Sequence, residues 1–438
     1  MSNLAERWSE VLTPAIGGAG FAPAWLSDLR EAAAGQFRAA GLPHRKVEAW
    51  KYTPMKAFES FDLRAAEPAA APEAHLPPPL CEKASVVDIR DGILGALPEN
   101  LPPGVSLLPL AEGLKRFEER LKPLFEAVDV RGPSRAFAAL NTALAQQGLV
   151  VHVTGEYRNG PRDARLLLRW GFSSGAAAMM NQFRLFVLLD DGAGLDLVEQ
   201  FGGIAGGTGG GGGLNTLYQA DLGTGSRLEH TRVQAESDEA VLLATTMIEQ
   251  GRDSCYRYRG FDLGAALARQ ELTVRLSGPG AEADIAGAMI LEGQRHADNH
   301  ICVEHLAPGC SSEQFFRGVL DGRSRGVFNG RALIQVGADG SSVRQSNANL
   351  LLSPLAEMDT KPELEIYADE IEASHGATVG QLDENAVFYM RSRGLSDDAA
   401  RRILTAAFCR AVTDRIADRD LAARIGQLLD EAMPGSNL

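Results

Sequence analysis

The chain is short of the residues that several large protein classes require. Basic side chains are in deficit, with 43 Lys and Arg against 57 Asp and Glu and a formal net charge of −14. Nucleic-acid affinity rests on a basic surface that releases counterions, so nucleic acid is not the expected partner. The 5 cysteines, at 81, 255, 302, 310 and 409, include no Cys-x-x-Cys pair. That spacing excludes a disulfide scaffold. It also argues against a zinc ion or stable iron–sulfur cluster held by these thiolates alone. Long apolar runs are missing: Leu185–Leu189 is among the best, far below the ~18 residues that span a bilayer. The start, Met1–Glu10, carries Glu6 and Glu10 and no apolar stretch of signal-peptide length. The expectation is a soluble, cytoplasmic protein that does not engage membranes. No Gly-Lys dipeptide occurs, so a phosphate-cradling loop of the Gly-x-x-x-x-Gly-Lys type is absent.

Glycine is in excess, 47 of 438 residues, or roughly 11% against an average of about 7%. Nine of the twelve residues 202–213 are glycine. No helix pattern follows them to aim amides at a pyrophosphate, so a flexible surface loop is expected there. From Leu149 to Ser353 short strand-like runs alternate with glycine turns. These runs are 149–153, 165–170, 183–189, 195–199, 217–221, 228–234, 241–248, 255–261, 271–276, 283–291, 299–305, 314–320 and 331–336. Turn-like tetrads at 225–228, 253–256, 281–284 and 310–313 recur about 28 residues apart. This weak period favours a solenoid over a sandwich, and the lack of helical pattern argues against alternating β–α units.

Helices are expected at both ends: 22–41, 134–147, 383–393, 397–414 with Ser396 as N-cap, and 419–432. The apolar face of the 397–414 helix reads as Ile403, Leu404, Phe408, Val412 and Ile416. A strand over 364–371 is followed by a small-residue turn, Ser374–Gly376. The resulting division is an N-terminal helical region (1–63), an Ala/Pro-rich linker (64–80), a small mixed α/β segment (81–148), a β-helix core (149–372) and a C-terminal helical domain (373–438).

Three constellations carry potential chemistry. His296, His300, Cys302 and His305 are the densest group of metal-capable side chains, but the spacing matches no closed zinc site. In a strand His300 and Cys302 share a face and His305 falls on the other. His375 stands alone in its turn, where neutral imidazole is a versatile ligand for iron or zinc. Glu363, Glu365, Asp369, Glu370 and Glu372 form an acidic stretch. Paired carboxylates there would suit a carbohydrate-active or acyltransferase β-helix, but a solvated or partner-facing strand edge explains them better. No enzyme is expected.

The block Thr360–Glu384, with Ser374-His375-Gly376-Ala377-Thr378 at its centre, and its continuation Phe388-Tyr389-Met390-Arg391-Ser392-Arg393-Gly394 resemble the SufD branch of the SufB/SufD family of the SUF iron–sulfur cluster assembly system. Val327–Gly330, Asn347–Ser353 and Glu48-Ala49-Trp50-Lys51-Tyr52-Thr53 are similar to further family motifs, so the resemblance runs from about 41 to about 410. It implies a mainly β fold, a right-handed parallel β-helix core between helical ends. It implies a non-catalytic scaffold that pairs with a SufB-like paralogue and carries a SufC-like ATPase on the C-terminal helices; for the isolated chain both a homodimer and a monomer stay open. The family histidine, His375 here, is implicated in iron acquisition or nascent cluster assembly at the shared interface. Glu365, Tyr367, Asp369, Ser374, Thr378, Phe388 and Tyr389 become interface candidates. No cofactor is expected to stay bound to this chain alone; iron or a cluster passes transiently, and reduced flavin is compatible with the complex. The family often has Cys where this chain has Ala373.

Overall fold

The computed structural model describes residues 2–17, 23–63, 76–155, 165–172, 179–202 and 212–434. The glycine run at 203–211 and most of the expected linker, 64–75, lie outside the described residues. Helices α1 (Ser2–Gly17) and α2 (Ala24–Ala40) open the chain. Strands β1 (Asp62–Leu63), β2 (Ser85–Arg90), β3 (Ile93–Leu94) and β4 (Val105–Pro109) follow, then α3 (Leu110–Arg116), α4 (Glu118–Glu126) and α5 (Ala136–Leu144). A long run of strands comes next: β5 (Gln147–Val153), β6 (Arg165–Gly171), β7 (Met179–Leu189), β8 (Gly194–Phe201), β9 (Gly213–Leu222), β10 (Arg227–Gln234), β11 (Val241–Gln250) and β12 (Cys255–Asp262). It continues through β13 (Leu267–Leu276), β14 (Glu282–Leu291), β15 (His296–His305), β16 (Ser311–Leu320), β17 (Arg325–Ile334), β18 (Ser342–Leu351), β19 (Glu357–Ile366) and β20 (Glu372–Gly380). Helices α6 (Glu384–Ser392), α7 (Asp397–Thr413) and α8 (Arg419–Ala432) close it.

Alternate strands go to alternate sheets. Odd-numbered strands β5 to β19 build one sheet, with β4 at its edge and β1 beside β7; even-numbered strands β6 to β20 build the other, ending in β2 and β3. The pairings within each stack are parallel, and the short strands β3 and β4 pair antiparallel at the start. The result is a mainly β solenoid of about seven turns with helices at both ends. Twelve of the thirteen strand-like runs expected between 149 and 336 lie within an observed strand, and the last, 331–336, begins in β17 and runs two residues past its end at Ile334. The period is real: Arg227, Cys255, Glu282, Ser311, Ser342 and Glu372 stand in one register column.

Period-2 alternation decides which side chains fill the solenoid. In β15, Ala297, Ile301, Val303 and His305 point inward, and His300, Cys302 and Glu304 point out and are partly exposed. The inner apolar positions, such as Leu228, Tyr256, Ile285, Leu272 and Val274, form one continuous core, each large side chain contributing roughly 1.5–3 kcal/mol by burial. Gly280 and Gly309 sit at corners with φ of +72° and +68°, where a Cβ would be strained.

The two outer faces are covered by different ends of the chain. Trp8, Phe37, Trp50, Phe58 and Phe137 pack against Val241, Leu243 and Leu267 of the odd sheet. On the even sheet, α7 and α8 lay Cys409, Val412, Leu421, Ile425 and Leu429 against Val233, Phe261, Ala286 and Val319. The face of α7 meets the sequence expectation in part: Val412 and Ile416 are buried and Phe408 packs against the same cluster. Its buried stripe is Ala400, Thr405, Ala406, Cys409 and Val412, and Ile403 is exposed. Helical spacing puts Thr405, Ala406 and Cys409 on the same side as Val412 and turns Ile403 away from it. Ser396 does cap α7, its Oγ accepting from Ala399 N at 3.2 Å.

His305 gives the interior a pH dependence. It is fully buried, its Nε2 lies 2.8 Å from Ser312 Oγ, and burial pushes its pKa down to about 4. Between pH 6.5 and about 4 the unfolded chain takes up a proton that the folded one refuses. Stability from this group is therefore complete above 6.5 and lost as pH falls, by up to roughly 3 kcal/mol. Glu236, whose carboxyl burial pushes up to about 8, has the opposite slope between about 4.5 and 8. The informative quantity is thus the difference between wild type and His305→Asn. In urea titrations that difference should be constant above pH 7 and shift against wild type toward pH 4; a pH-independent difference would contradict the assignment.

Candidate functional site

The last turn of the solenoid is its least covered part. Strand β20 is paired to β18 on one side only, and all of its residues except Ala377 are well exposed. Here the structure corrects the sequence reading. The strand expected over 364–371 is β19, which ends at Ile366. Residues 367–371 form the corner, with Glu370 at φ +54°, and Ser374–Gly376 lie inside β20 rather than in a turn. The reason is the register of the stack, which holds Ser374, His375 and Gly376 opposite Arg344, Gln345 and Ser346. A tertiary ladder thus extends small residues that show no apolar alternation of their own.

Backbone direction follows from two hydrogen bonds. Glu372 N donates to Ser341 O at 3.0 Å, and Glu357 N donates to Ser324 O at 3.0 Å. In a parallel ladder, alternate residues turn both backbone groups to the same neighbour. Ala373, His375, Ala377 and Val379 therefore present their N–H and C=O on the free edge of β20. On β19 the outward set is Met358, Thr360, Pro362, Leu364 and Ile366. Pro362 occupies a position whose missing N–H costs no internal bond.

The expected site residues separate into two groups. Glu365, Tyr367, Asp369, Ser374, His375 and Thr378 belong to the terminal turn. Tyr367 N donates to Ile334 O at 2.8 Å and Asp369 N to Asp339 Oδ1 at 2.9 Å, which pin the corner. Asn349 Nδ2 donates to Thr378 O at 3.1 Å. Ile366, Tyr367 and Val379 add exposed apolar surface. Phe388 and Tyr389 are separate, exposed on α6, where Tyr389 OH accepts from Arg393 Nη2 at 3.0 Å.

Glu363 and Glu365 point outward from β19, as alternation requires, and each is held by a cation. Lys361 Nζ is 2.8 Å from Glu363, and Arg331 makes two hydrogen bonds to Glu365 at 2.8 and 3.0 Å. The bond from Arg331 keeps the Glu365 carboxyl below its usual range. A groove of about 440 Å³ beside the odd sheet contains His300, Cys302, Glu271, Glu304 and Glu363. Arginines face its acids: Arg135 meets Glu271 at 3.0 Å and Arg275 meets Glu304 at 3.3 Å. Burial alone would raise the Glu271 carboxyl, but the guanidiniums of Arg269 and Arg135 outweigh it and hold it below its usual range. His300 and Cys302 do share a face, but burial pushes the Cys302 thiol up to about 11. Among the described residues no three His, Cys, Asp or Glu side chains form a metal-holding group.

The most connected polar cluster was not visible from sequence. Asp298, fully buried, accepts from Arg269 and from the Thr53 hydroxyl, and His300 Nε2 lies 2.9 Å from its other oxygen. Burial alone would raise this carboxyl, but the Arg269 guanidinium outweighs it and holds the pKa far below the usual range. Arg269 also stacks on Trp50, 4.0 Å from the ring centroid. The segment Glu48–Thr53 is thereby fastened to β13 and β15.

Residues 172–408 match the family model described as SUF system FeS cluster assembly, SufBD core domain. The chain belongs to the SufBD family. Similar proteins include an iron–sulfur cluster assembly SufBD family protein of Synechocystis sp., 29% identical over 423 residues, covering 92% of this chain and 90% of the relative. The iron–sulfur cluster assembly protein SufD of Escherichia coli is 26% identical over 407 residues, covering 91% of each. A SufBD family protein of Mycobacterium leprae is 32% identical over 197 residues, covering 43% of this chain and 50% of its own length. The matched region takes in the solenoid from Phe172, the bare terminal turn and most of α7. No helix among the described residues of this SufBD protein is long and apolar enough to cross a membrane.

Proposed function

We propose that this SufBD protein is a non-catalytic, SufD-like scaffold of a SUF assembly complex. It pairs with a SufB-like chain through the free edges of β19 and β20, and it carries a SufC-like ATPase on α6–α8. His375 contributes to iron acquisition or to the nascent cluster where the two scaffolds meet. The observation that carries this reading is the terminal strand. A free backbone edge is a ready template for another chain, and here it presents the one imidazole of the turn. Iron is the cargo, and a lone histidine needs further ligands from the partner. The exposed Phe388 and Tyr389 suit a docking surface separate from that seam, so nucleotide-driven motion of α6 and α7 is the route by which an ATPase acts on the end of the solenoid.

His375→Ala in the co-expressed complex tests the reading. The side chain is exposed, so folding stability should change by no more than about 1 kcal/mol, the worth of one neutral hydrogen bond. The complex is expected to stay assembled and to lose cluster maturation. Unchanged activity of iron–sulfur enzymes in cells dependent on this chain would remove His375 from the role.

A further inference from the structure

We propose that Gln345 is a positioning residue for His375: its carboxamide oxygen is the acceptor that a turn of the His375 side chain brings to one imidazole N–H, thereby selecting the ring nitrogen that faces outward. The inner wall of the even sheet carries a column of register partners: Leu197, His230, Tyr258, Ile285, Gln314, Gln345 and His375. His375 is thus the last member of an interior row, exposed because no further turn covers it. Its side chain starts one strand spacing, about 4.8 Å, from that of Gln345.

The two glutamines below it are held alike. Gln314 Nε2 donates to Arg331 O at 3.1 Å and Gln345 Nε2 to Gly330 O at 3.2 Å, both on β17 across the interior. Each amide is therefore oriented by its nitrogen, and each Oε1 is buried without a hydrogen-bond partner among the described residues. A buried acceptor left empty is costly. The Gln345 side chain is 4% exposed, and in the next strand its register partner is His375, flanked on the same face by Ala373 and Ala377, which offer no side-chain donor. Thr360 Oγ1 donates to Asn347 Oδ1 at 2.8 Å, and Asn349 Nδ2 donates to Asn347 Oδ1 at 2.6 Å and to Thr378 O, so the floor beneath the ring is held. An imidazole that donates one N–H to a fixed carbonyl keeps the other nitrogen as a lone pair, the arrangement that orients ligating histidines. The ligand role rests on the function proposed above; the hydrogen bond does not.

The test is side-chain ¹⁵N spectroscopy of the full-length, ¹⁵N-histidine-labelled chain with the rings neutral, His375 being assigned by its absence in His375→Ala. Wild type should show one dominant tautomer of His375. Gln345→Leu, which keeps the bulk and removes the acceptor, should shift the tautomer ratio about fivefold, the fold-change one neutral hydrogen bond carries. Gln345→Glu, which keeps an acceptor, should retain the wild-type preference and guards against misfolding of the leucine variant. An unchanged ratio in a folded Gln345→Leu chain overturns the proposal, with water then satisfying Oε1. Because the spectra are read without iron, they decide the hydrogen bond whatever the maturation assay gives. Retained maturation in His375→Ala overturns the ligand role whatever the spectra give.

Discussion

Asp298→Ala should destabilise the protein by roughly 3–5 kcal/mol, the range for breaking one partner out of a buried ion pair. Two cations, Arg269 and Arg135, meet two anions, Asp298 and Glu271, at the seam between Glu48–Thr53 and the odd sheet. Arg269 is 2% exposed. Loss of Asp298 leaves one buried guanidinium charge in excess and strips the Thr53 hydroxyl of its acceptor. Glu271, 2.6 Å from Arg269, offsets only part of this because it is shared with Arg135. Thermal unfolding followed by circular dichroism should show a midpoint lowered by about 3–5 °C, the shift that loss implies for a chain of this length. Asp298→Asn, which keeps an acceptor, should cost less. A loss below about 1 kcal/mol for Asp298→Ala would mean that the N-terminal segment is held by its aromatic residues alone.

Ala377→Pro should abolish pairing with the SufB-like chain and leave the isolated fold intact. Ala377 turns its N–H to the free edge, so proline there removes no bond to β18, and Gly376 before it is already extended. The ring does remove a donor from the middle of the edge that a partner strand would use. Thr378→Pro is the internal contrast. Its N–H faces β18, and the substitution should cost about 3 kcal/mol by breaking the ladder. Co-purification and sedimentation of the complex read the first effect, and unfolding of the single chain reads the second. Normal pairing by Ala377→Pro would place the partner elsewhere.

How far each feature could be read from sequence follows from where its signal lies. The middle strands are legible because each buries one apolar set at period 2, as Val303 and Ile301 do in β15. Strand β20 is not, because Ala373, Ser374, Gly376 and Ala377 bury nothing and are extended only by β18. The corner before it bends at Glu370 without a glycine or proline to announce it. The Asp298 cluster joins Thr53 to a residue 245 positions away, and no local pattern reports such a contact. His375 could be singled out by its motif, but its place in the interior column required the register. The α7 face is legible at Val412 and Ile416, which are buried, and not at Ile403, which is exposed while Ala406 and Cys409 are buried in its place.

The two ends of the solenoid differ in a way that limits what the chain can build. The first turn is stopped by the antiparallel strands β3, of two residues, and β4, of five, and short edges of that kind offer little to an incoming strand. The last turn ends in bare strands of ten and nine residues. Head-to-tail stacking, which would propagate into a filament, finds no matching long strand edge at the first turn among the described residues. Two bare ends that meet consume each other, and the association is closed under a two-fold or pseudo-two-fold relation. The asymmetry of the stack thus leaves each chain, among its described residues, one open end along this axis.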